Sequence, residues 1–288
     1  MTNILCLSDL HFGKDDETAI QAIDRAIEIA KRKEIDILYF GGDLAEPGKI
    51  DELEHFKRGI EKLNQIKAKK YAWCTGNNDW ELLKGHVVDY AEEMAELLSQ
   101  HSYFKCLDNV NFVKHEDVAL VGGIGWYNGT LWVEHPNTPD LNEAAGSKKG
   151  DGDWPKKWDE VKTRAEQYWQ IFMDRHNNDC TSDFIYEDSM NAITDKLYLL
   201  NRYDHIKKVV VATHFVPNHG FCKYGHSLKF DYLNYFMGYD DKNEYNIFNQ
   251  PKVVKGLTGH THRHKTVTIG NTDVVNVSGS EQPYLLQI

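Results

Sequence analysis

Apolar runs and segments of helical period alternate along the first third of the chain. Ile4 to Ser8 is an apolar run bounded by polar residues, the pattern of a strand buried on both faces, and it ends at Asp9-Leu10-His11. From Thr18 to Lys33, apolar Ile20, Ile23, Ala26, Ile27 and Ala30 repeat with helical spacing, which predicts a helix carrying the chain back. A second strand follows over Ile35 to Phe40 and ends at Gly41-Gly42-Asp43. A helix is expected across Ile50 to Ile66, then a strand from Lys70 to Cys74 that ends at Thr75-Gly76-Asn77-Asn78-Asp79. Strand, helix and strand repeated in this way predict a layered α/β core.

The second half has fewer helical segments between its strands. Asn111 to His115, Val118 to Gly122 and Val209 to Thr213 read as strands, the last delivering His214, and Val253 to Thr258 leads into Gly259-His260-Thr261-His262. Lys265 to Ile269, Val274 to Val277 and Tyr284 to Ile288 read as a strand meander closing the sheet. Two stretches depart from this pattern. Tyr127 to Trp158 is rich in Gly, Pro, Asn and Trp and is followed by helical periodicity over Lys162 to Met173 and Met190 to Leu200, whereas Asn218 to Gln250 is dense in aromatics. We read one domain over residues 1–288 with insertions at 127–205 and 218–250, since long loops on a rigid scaffold commonly shape a binding site. The aromatics from Phe221 to Tyr239 are expected to pack the second insertion, the alternative being a lid that stacks on a planar group.

Composition narrows the function. Hydrophobic residues make up 41% and charged residues 27% of the 288, an ordinary balance for a globular protein. A formal net charge of -11 disfavours a sequence-independent grip on nucleic acid, which rests on clustered Lys and Arg. No run approaches the roughly 18 apolar residues of a membrane span, and the opening run has no basic leader. Cys6, Cys74, Cys106, Cys180 and Cys222 are scattered without a Cys-x-x-Cys pair, which suits a reducing cytoplasm.

Five separated segments carry metal-ligand residue types just after predicted strands: Asp9 and His11, Asp43, Asn77, His214, and His260 with His262. In an α/β sheet the carboxyl ends of strands face one crevice, so these residues can converge there. Carboxylate and imidazole without thiolate suit Mn, Fe, Zn or Ni and argue against a dedicated calcium site. Two such ions sharing a bridging carboxylate, for which Asp43 is the best candidate, sit about 3.5–4 Å apart and hold a hydroxide poised to attack phosphorus. A phosphate ester is the natural substrate of such a pair.

The ordered blocks Asp9-Leu10-His11, Gly42-Asp43, Gly76-Asn77-Asn78-Asp79, His214 and Gly259-His260-Thr261-His262 resemble the calcineurin-like metallophosphoesterase family. Its pattern is Asp-x-His, Gly-Asp, Gly-Asn-His-Asp/Glu, His and Gly-His-x-His. The resemblance runs from residue 4 to about residue 277, outside the two inserted stretches. It implies that Asp9, His11 and His262 hold one metal, that Asn77, His214 and His260 hold the other, and that Asp43 bridges them. It also implies a four-layer αββα sandwich of two mixed β-sheets with helices outside.

One position departs from that pattern. Asn78 stands where the family places a histidine beside the phosphate, a group that would assist the leaving oxygen and whose contribution is typically about 10²–10⁴-fold. An asparagine amide hydrogen-bonds but supplies no proton at neutral pH. His219 is the foremost substitute donor, ahead of His86 and His264. Without a proton donor, phosphodiesters with good leaving groups and small nucleotide-like esters are favoured over monoesters. Two other functions remain compatible with the sequence: a weak or inactive metal-binding scaffold or regulatory protein, which Asn78 leaves open, and a nuclease, which the acidic balance disfavours. Lys148, Lys149, Lys156 and Lys157 in the first insertion are expected to be solvated rather than in contact with substrate phosphates.

Overall fold

Alternate residues of the buried strands face two different cores, and this fixes the layering. In β1 (Asn3–Leu7), Ile4 and Cys6 point one way and Leu5 and Leu7 the other, as the period of two requires. The same alternation holds in β2 (Ile37–Phe40), with Ile37 and Tyr39 opposed to Leu38 and Phe40, and in β3 (Lys70–Trp73), with Ala72 opposed to Trp73. In this computed structural model, which describes residues 1–48, 51–83, 85–132, 158–175, 180–224, 228–241, 245–278 and 282–288, two mixed sheets pack face to face.

One sheet has the order β11-β1-β2-β3-β4, where β4 is Lys105–Cys106 and β11 is Tyr284–Gln287. The other has the order β5-β6-β7-β8-β10-β9, formed by Val113–His115, Val118–Gly123, Lys208–Thr213, Val253–Thr258, Thr272–Asn276 and Lys265–Ile269 respectively. Between them Ile4, Cys6, Ile37 and Tyr39 meet Val118, Leu120, Val210 and Ala212 in one mainly apolar layer. The opposite faces are covered by helices, which gives a four-layer αββα sandwich.

Helix Asp16–Arg32 starts where the Asp15 carboxylate accepts from the Thr18 amide at 3.1 Å, and it buries Ala19, Ala22, Ile23 and Ala26. Helix Glu52–Leu63 buries Phe56, Ile60 and Leu63, and helix Tyr90–His101 buries Tyr90, Met94 and Leu98 at intervals of four. Ser182–Asn201 covers β6, and its buried Lys196 donates to the carbonyls of Leu107 and Gly122 at 2.6 and 3.2 Å. Among the described residues no helix is long and apolar enough to cross a membrane.

The expected closing meander divides between the sheets. β9 and β10 pair as an antiparallel hairpin, but β11 leaves that sheet and pairs antiparallel with β1, Leu5 opposite Leu285. β1 would otherwise be a free edge beside β2, and an unpaired edge leaves backbone groups unsatisfied. The predicted helices over Lys162–Met173 and Met190–Leu200 are longer, Trp158–Arg175 and Ser182–Asn201. Lys148, Lys149, Lys156 and Lys157 lie outside the described residues.

Candidate metal centre

All seven ligand candidates sit on loops that leave the carboxyl ends of parallel strands: β1, β2 and β3 of one sheet and β7 and β8 of the other. These loops hold one another. Asp9 N–H donates to the Gly42 carbonyl at 2.9 Å, His11 N–H to the Asp43 carbonyl at 3.1 Å, and Gly259 N–H to the His214 carbonyl at 2.9 Å. Across the two sheets, His260 N–H donates to the Asp9 carboxylate at 3.1 Å.

Five candidates, Asp9, His11, Asp43, His260 and His262, have φ between 47° and 68°, a left-handed conformation that costs a non-glycine residue on the order of 1 kcal/mol. The cross-loop bonds over-determine those dihedrals, so the strain is kept where the side chains must converge. Glycine is required beside them. A Cβ on Gly76 would lie 2.2 Å from Asp43 Oδ1, and one on Gly259 would lie 2.6 Å from Ser8 Oγ and 2.9 Å from Asp9 Oδ2.

The side chains form two groups. Asp9, His11 and His262 have ligand atoms within 4.8 Å of one another, and so do Asp43, His214 and His260. In the first group the Nε2 atoms of His11 and His262 face each other at 3.1 Å with their rings stacked at 4.7 Å. Glu46 Oε2 lies 3.0 Å from His11 Nδ1, the ring nitrogen opposite the one that faces His262. In the second group His214 Nδ1 donates to the Gly41 carbonyl at 2.8 Å, which turns Nε2 toward Asp43 Oδ2 at 3.4 Å and Asn77 Oδ1 at 3.2 Å. His260 Nε2 is buried with no hydrogen-bond partner. An orphaned lone pair is costly inside a protein unless something electropositive meets it.

In the second group the buried carboxylate and imidazole hold each other charged. Burial alone would raise the Asp43 carboxyl and lower the His214 imidazole, but their mutual attraction outweighs it. Asp43 is held below the usual carboxylate range and His214 is pushed up to about 10. Burial, followed by the positive charge of His214, pushes His260 down to about 3, so its imidazole is neutral and able to ligate. Nitrogen and carboxylate donors without thiolate match a borderline divalent transition metal. The residues fit two such ions.

Asn77 and Asn78 begin a short helical turn, Asn77–Trp80. Asn77 Nδ2 donates to Asn78 Oδ1 at 2.7 Å, which aims the Asn77 oxygen at His214. Asn78 N–H donates to Asp43 Oδ1 at 2.8 Å, and its side-chain nitrogen lies 3.1 Å from His11 Nδ1. Asn78 therefore stands between the two groups. Asp79 was visible only as part of a motif, yet its buried carboxylate accepts from the amides of Gly76, Asp43 and Leu44 at 3.0–3.1 Å and ties the β2 and β3 loops together. Burial and the Asp43 charge push that carboxyl up to about 7 against the amides of Gly76 and Leu44.

His219 belongs to neither group. Its Nδ1 is 2.7 Å from Tyr224 Oη, and its Nε2 is 3.7 Å from Asp240 Oδ2. His264 is exposed with its ring 5.5 Å from that of Tyr284, and His86 precedes the turn Val87–Asp89. Three supporting residues escaped the sequence reading. Ser8 Oγ donates to Asp9 Oδ2, Glu46 positions His11, and Asn276 on β10 donates to the Gly259 carbonyl and the Thr261 hydroxyl. Ser8 and Glu46 at least lie within three residues of a motif, whereas nothing in the sequence marks Asn276. Beside Asn77, Asn78 and His260 opens a cleft of about 660 Å³.

Two mixed sheets in an αββα sandwich, with paired His/Asp groups at the converging strand ends, define a metal-dependent phosphoester hydrolase. The chain matches the calcineurin-like phosphoesterase family over residues 2–264 and belongs to it. No curated protein sequence matches it. Among solved structures it is similar to the phosphopantetheinyl hydrolase of Mycobacterium tuberculosis, with 16% identity, a TM-score of 0.63 and coverage of 97% of this chain and 90% of the other. It is also similar to a dimetal phosphatase from Danio rerio, with 12% identity, a TM-score of 0.52 and coverage of 97% and 88%. At these identities the likeness is one of fold.

Proposed function

We propose that the chain hydrolyses phosphodiesters in preference to phosphomonoesters with two divalent transition-metal ions. Asp9, His11 and His262 would hold one ion, Asn77, His214 and His260 the other, and Asp43 would serve both. The observation that carries this reading is the pair of ligand groups on one floor, each with its ligand atoms within 4.8 Å, with an asparagine between them. When bound, the ions supply the acidity that turns a water into a hydroxide nucleophile and the positive charge that neutralises the phosphoryl oxygens.

The protein's own part is positioning and protonation control. Glu46 and the Gly41 carbonyl stand against the Nδ1 atoms of His11 and His214, so the Nε2 edge of each ring faces the other ligand candidates. Asn78 offers an amide hydrogen bond at the place of the leaving oxygen but no proton. A leaving group that departs as a weakly basic anion needs none, and this favours diesters and activated esters. A small, nucleotide-like ester suits the 660 Å³ cleft. A reducing cytoplasm keeps the five cysteines as thiols.

The test is hydrolysis of bis-p-nitrophenyl phosphate against p-nitrophenyl phosphate in Mn²⁺, with Asp43→Ala as control. Faster diester cleavage that Asp43→Ala abolishes is expected. A dominant monoesterase activity lost in His219→Ala would instead place a proton donor at His219 and overturn the role given to Asn78.

A further inference from the structure

The cleft beside the metal-ligand residues is larger than a phosphate needs and its walls are aromatic. Trp126, Tyr127 and Phe215 line its inner side, and Phe215 sits with its ring 4.5 Å from that of His260, so the wall begins at the metal site itself. The outer side comes from two other segments. Tyr168 and Phe172 belong to the helix Trp158–Arg175, and Tyr232 and Phe236 to residues 228–236. Phe236 joins the walls, its ring 5.2 Å from Tyr127, 5.4 Å from Tyr232 and 5.9 Å from Tyr168.

Not all of this aromatic surface is explained by packing. Phe221 and Tyr239, from the same aromatic-rich stretch, are fully buried, as core residues are. Tyr168 and Ile171 line the cleft yet are 66% and 53% exposed. Apolar surface kept open along a groove that leads to a reactive centre is characteristic of ligand sites. Away from Asn77, Asn78 and His260 the polar groups are few: Arg164, whose guanidinium lies 5.5 Å from the Tyr232 ring, with Gln167 and Glu81. Such a lining discriminates by ring stacking and shape more than by hydrogen-bond pattern.

We propose that this cleft binds the organic part of the ester and selects a flat aromatic ring close to the phosphorus, with Tyr168 and Phe236 as specificity-determining residues. The inference rests on the phosphoester-hydrolysis reading and adds the class of group attached to the phosphate. Each stacked pair is expected to contribute between twofold and about tenfold in affinity.

The test uses phosphonates, whose C–P bond is not hydrolysed by this chemistry. Methyl-, phenyl-, cyclohexyl- and n-hexylphosphonate are titrated calorimetrically into the Mn²⁺-loaded full chain, with tryptophan fluorescence as a second readout of the Trp126 and Trp169 region. Phenylphosphonate is expected to bind at least about tenfold tighter than methylphosphonate and several-fold tighter than cyclohexylphosphonate. Tyr168→Ala and Phe236→Ala should each lower the phenyl-to-methyl affinity ratio by at least threefold. Tyr168 is exposed, so its replacement tests the cleft even where Phe236→Ala fails to fold. Equal binding of the phenyl and methyl compounds, tighter binding of the cyclohexyl or hexyl compounds, or an unchanged ratio in Tyr168→Ala overturns the inference while ester hydrolysis stands. Absence of both phosphonate binding and ester hydrolysis would overturn the underlying reading as well.

Discussion

Asp43 and Gly76 illustrate how little room the centre leaves. Asp43 sits at φ 58°, receives the Asn78 amide on Oδ1 and turns Oδ2 to His214, all against the backbone of Gly76. Gly76→Ala should displace that carboxylate and lower hydrolysis on the order of 10²-fold, since misplacement by about 1 Å costs that much. Steady-state kinetics on the diester check this, and a rate within threefold of the parent would contradict it. Asn78→His should return a proton donor beside the leaving oxygen. The expected gain is on the order of 10²-fold for poorly activated monoesters and much less for p-nitrophenyl esters. A leaving-group series measures it. The ligand candidates were legible because each follows a buried apolar run, and sequence order alone delivers them to strand ends. Ser8, Glu46 and Asn276 were not, because a hydrogen bond to a ligand leaves no periodic trace and Asn276 arrives from a strand remote in sequence.

Among the elements, the joint between the sheets is partly electrostatic. Asp36, just before β2, accepts from the Asn3 amide at 2.9 Å and from Lys69 at 2.8 Å, and lies 3.3 Å from His115 Nε2 on β5 of the other sheet. Burial opposes its ionisation, yet these partners hold its pKa below the ordinary value. A carboxyl with a depressed folded pKa contributes stability that is complete above about pH 4, its unfolded value, and is lost as pH falls through the folded one. Asp36→Asn should therefore lower unfolding stability by about 1–3 kcal/mol at pH 7 and flatten the fall in stability below pH 4. Urea melts across that range test it, and parallel acid limbs for the two proteins would refute it. The helix Tyr90–His101 and the pairing of β11 with β1 mark what element-level reading lacks. Tyr90, Met94 and Leu98 recur at a helical interval in a segment that mixes apolar and polar residues evenly, and a four-residue strand such as Tyr284–Gln287 carries no sign of which sheet it joins.

At the scale of the molecule, two sheets whose parallel strands end at one edge bring loops from opposite halves of the chain into contact there. His260 N–H on the Asp9 carboxylate and the facing His11 and His262 rings join residues about 250 apart in sequence. Ions held by the two groups would link the sheets, so removing them should destabilise the whole fold. With free Mn²⁺ at 100 times its dissociation constant the stabilisation is about 2.7 kcal/mol per site, less whatever the unfolded chain binds. Thermal melts with chelator and with Mn²⁺ measure it, and coincident transitions would count against a site that spans the seam.

The most direct measurement is the stoichiometry of metal binding by calorimetric titration of Mn²⁺ into metal-stripped protein, run in parallel with diester hydrolysis, for the parent chain and Asp43→Ala. Two ions per chain are predicted, with hydrolysis appearing only as the second binds, and both the second ion and the activity lost in Asp43→Ala. Full hydrolysis without bound metal, or an Asp43→Ala protein that binds two ions and turns over unchanged, would contradict the assignment of these residues as a two-metal hydrolytic centre.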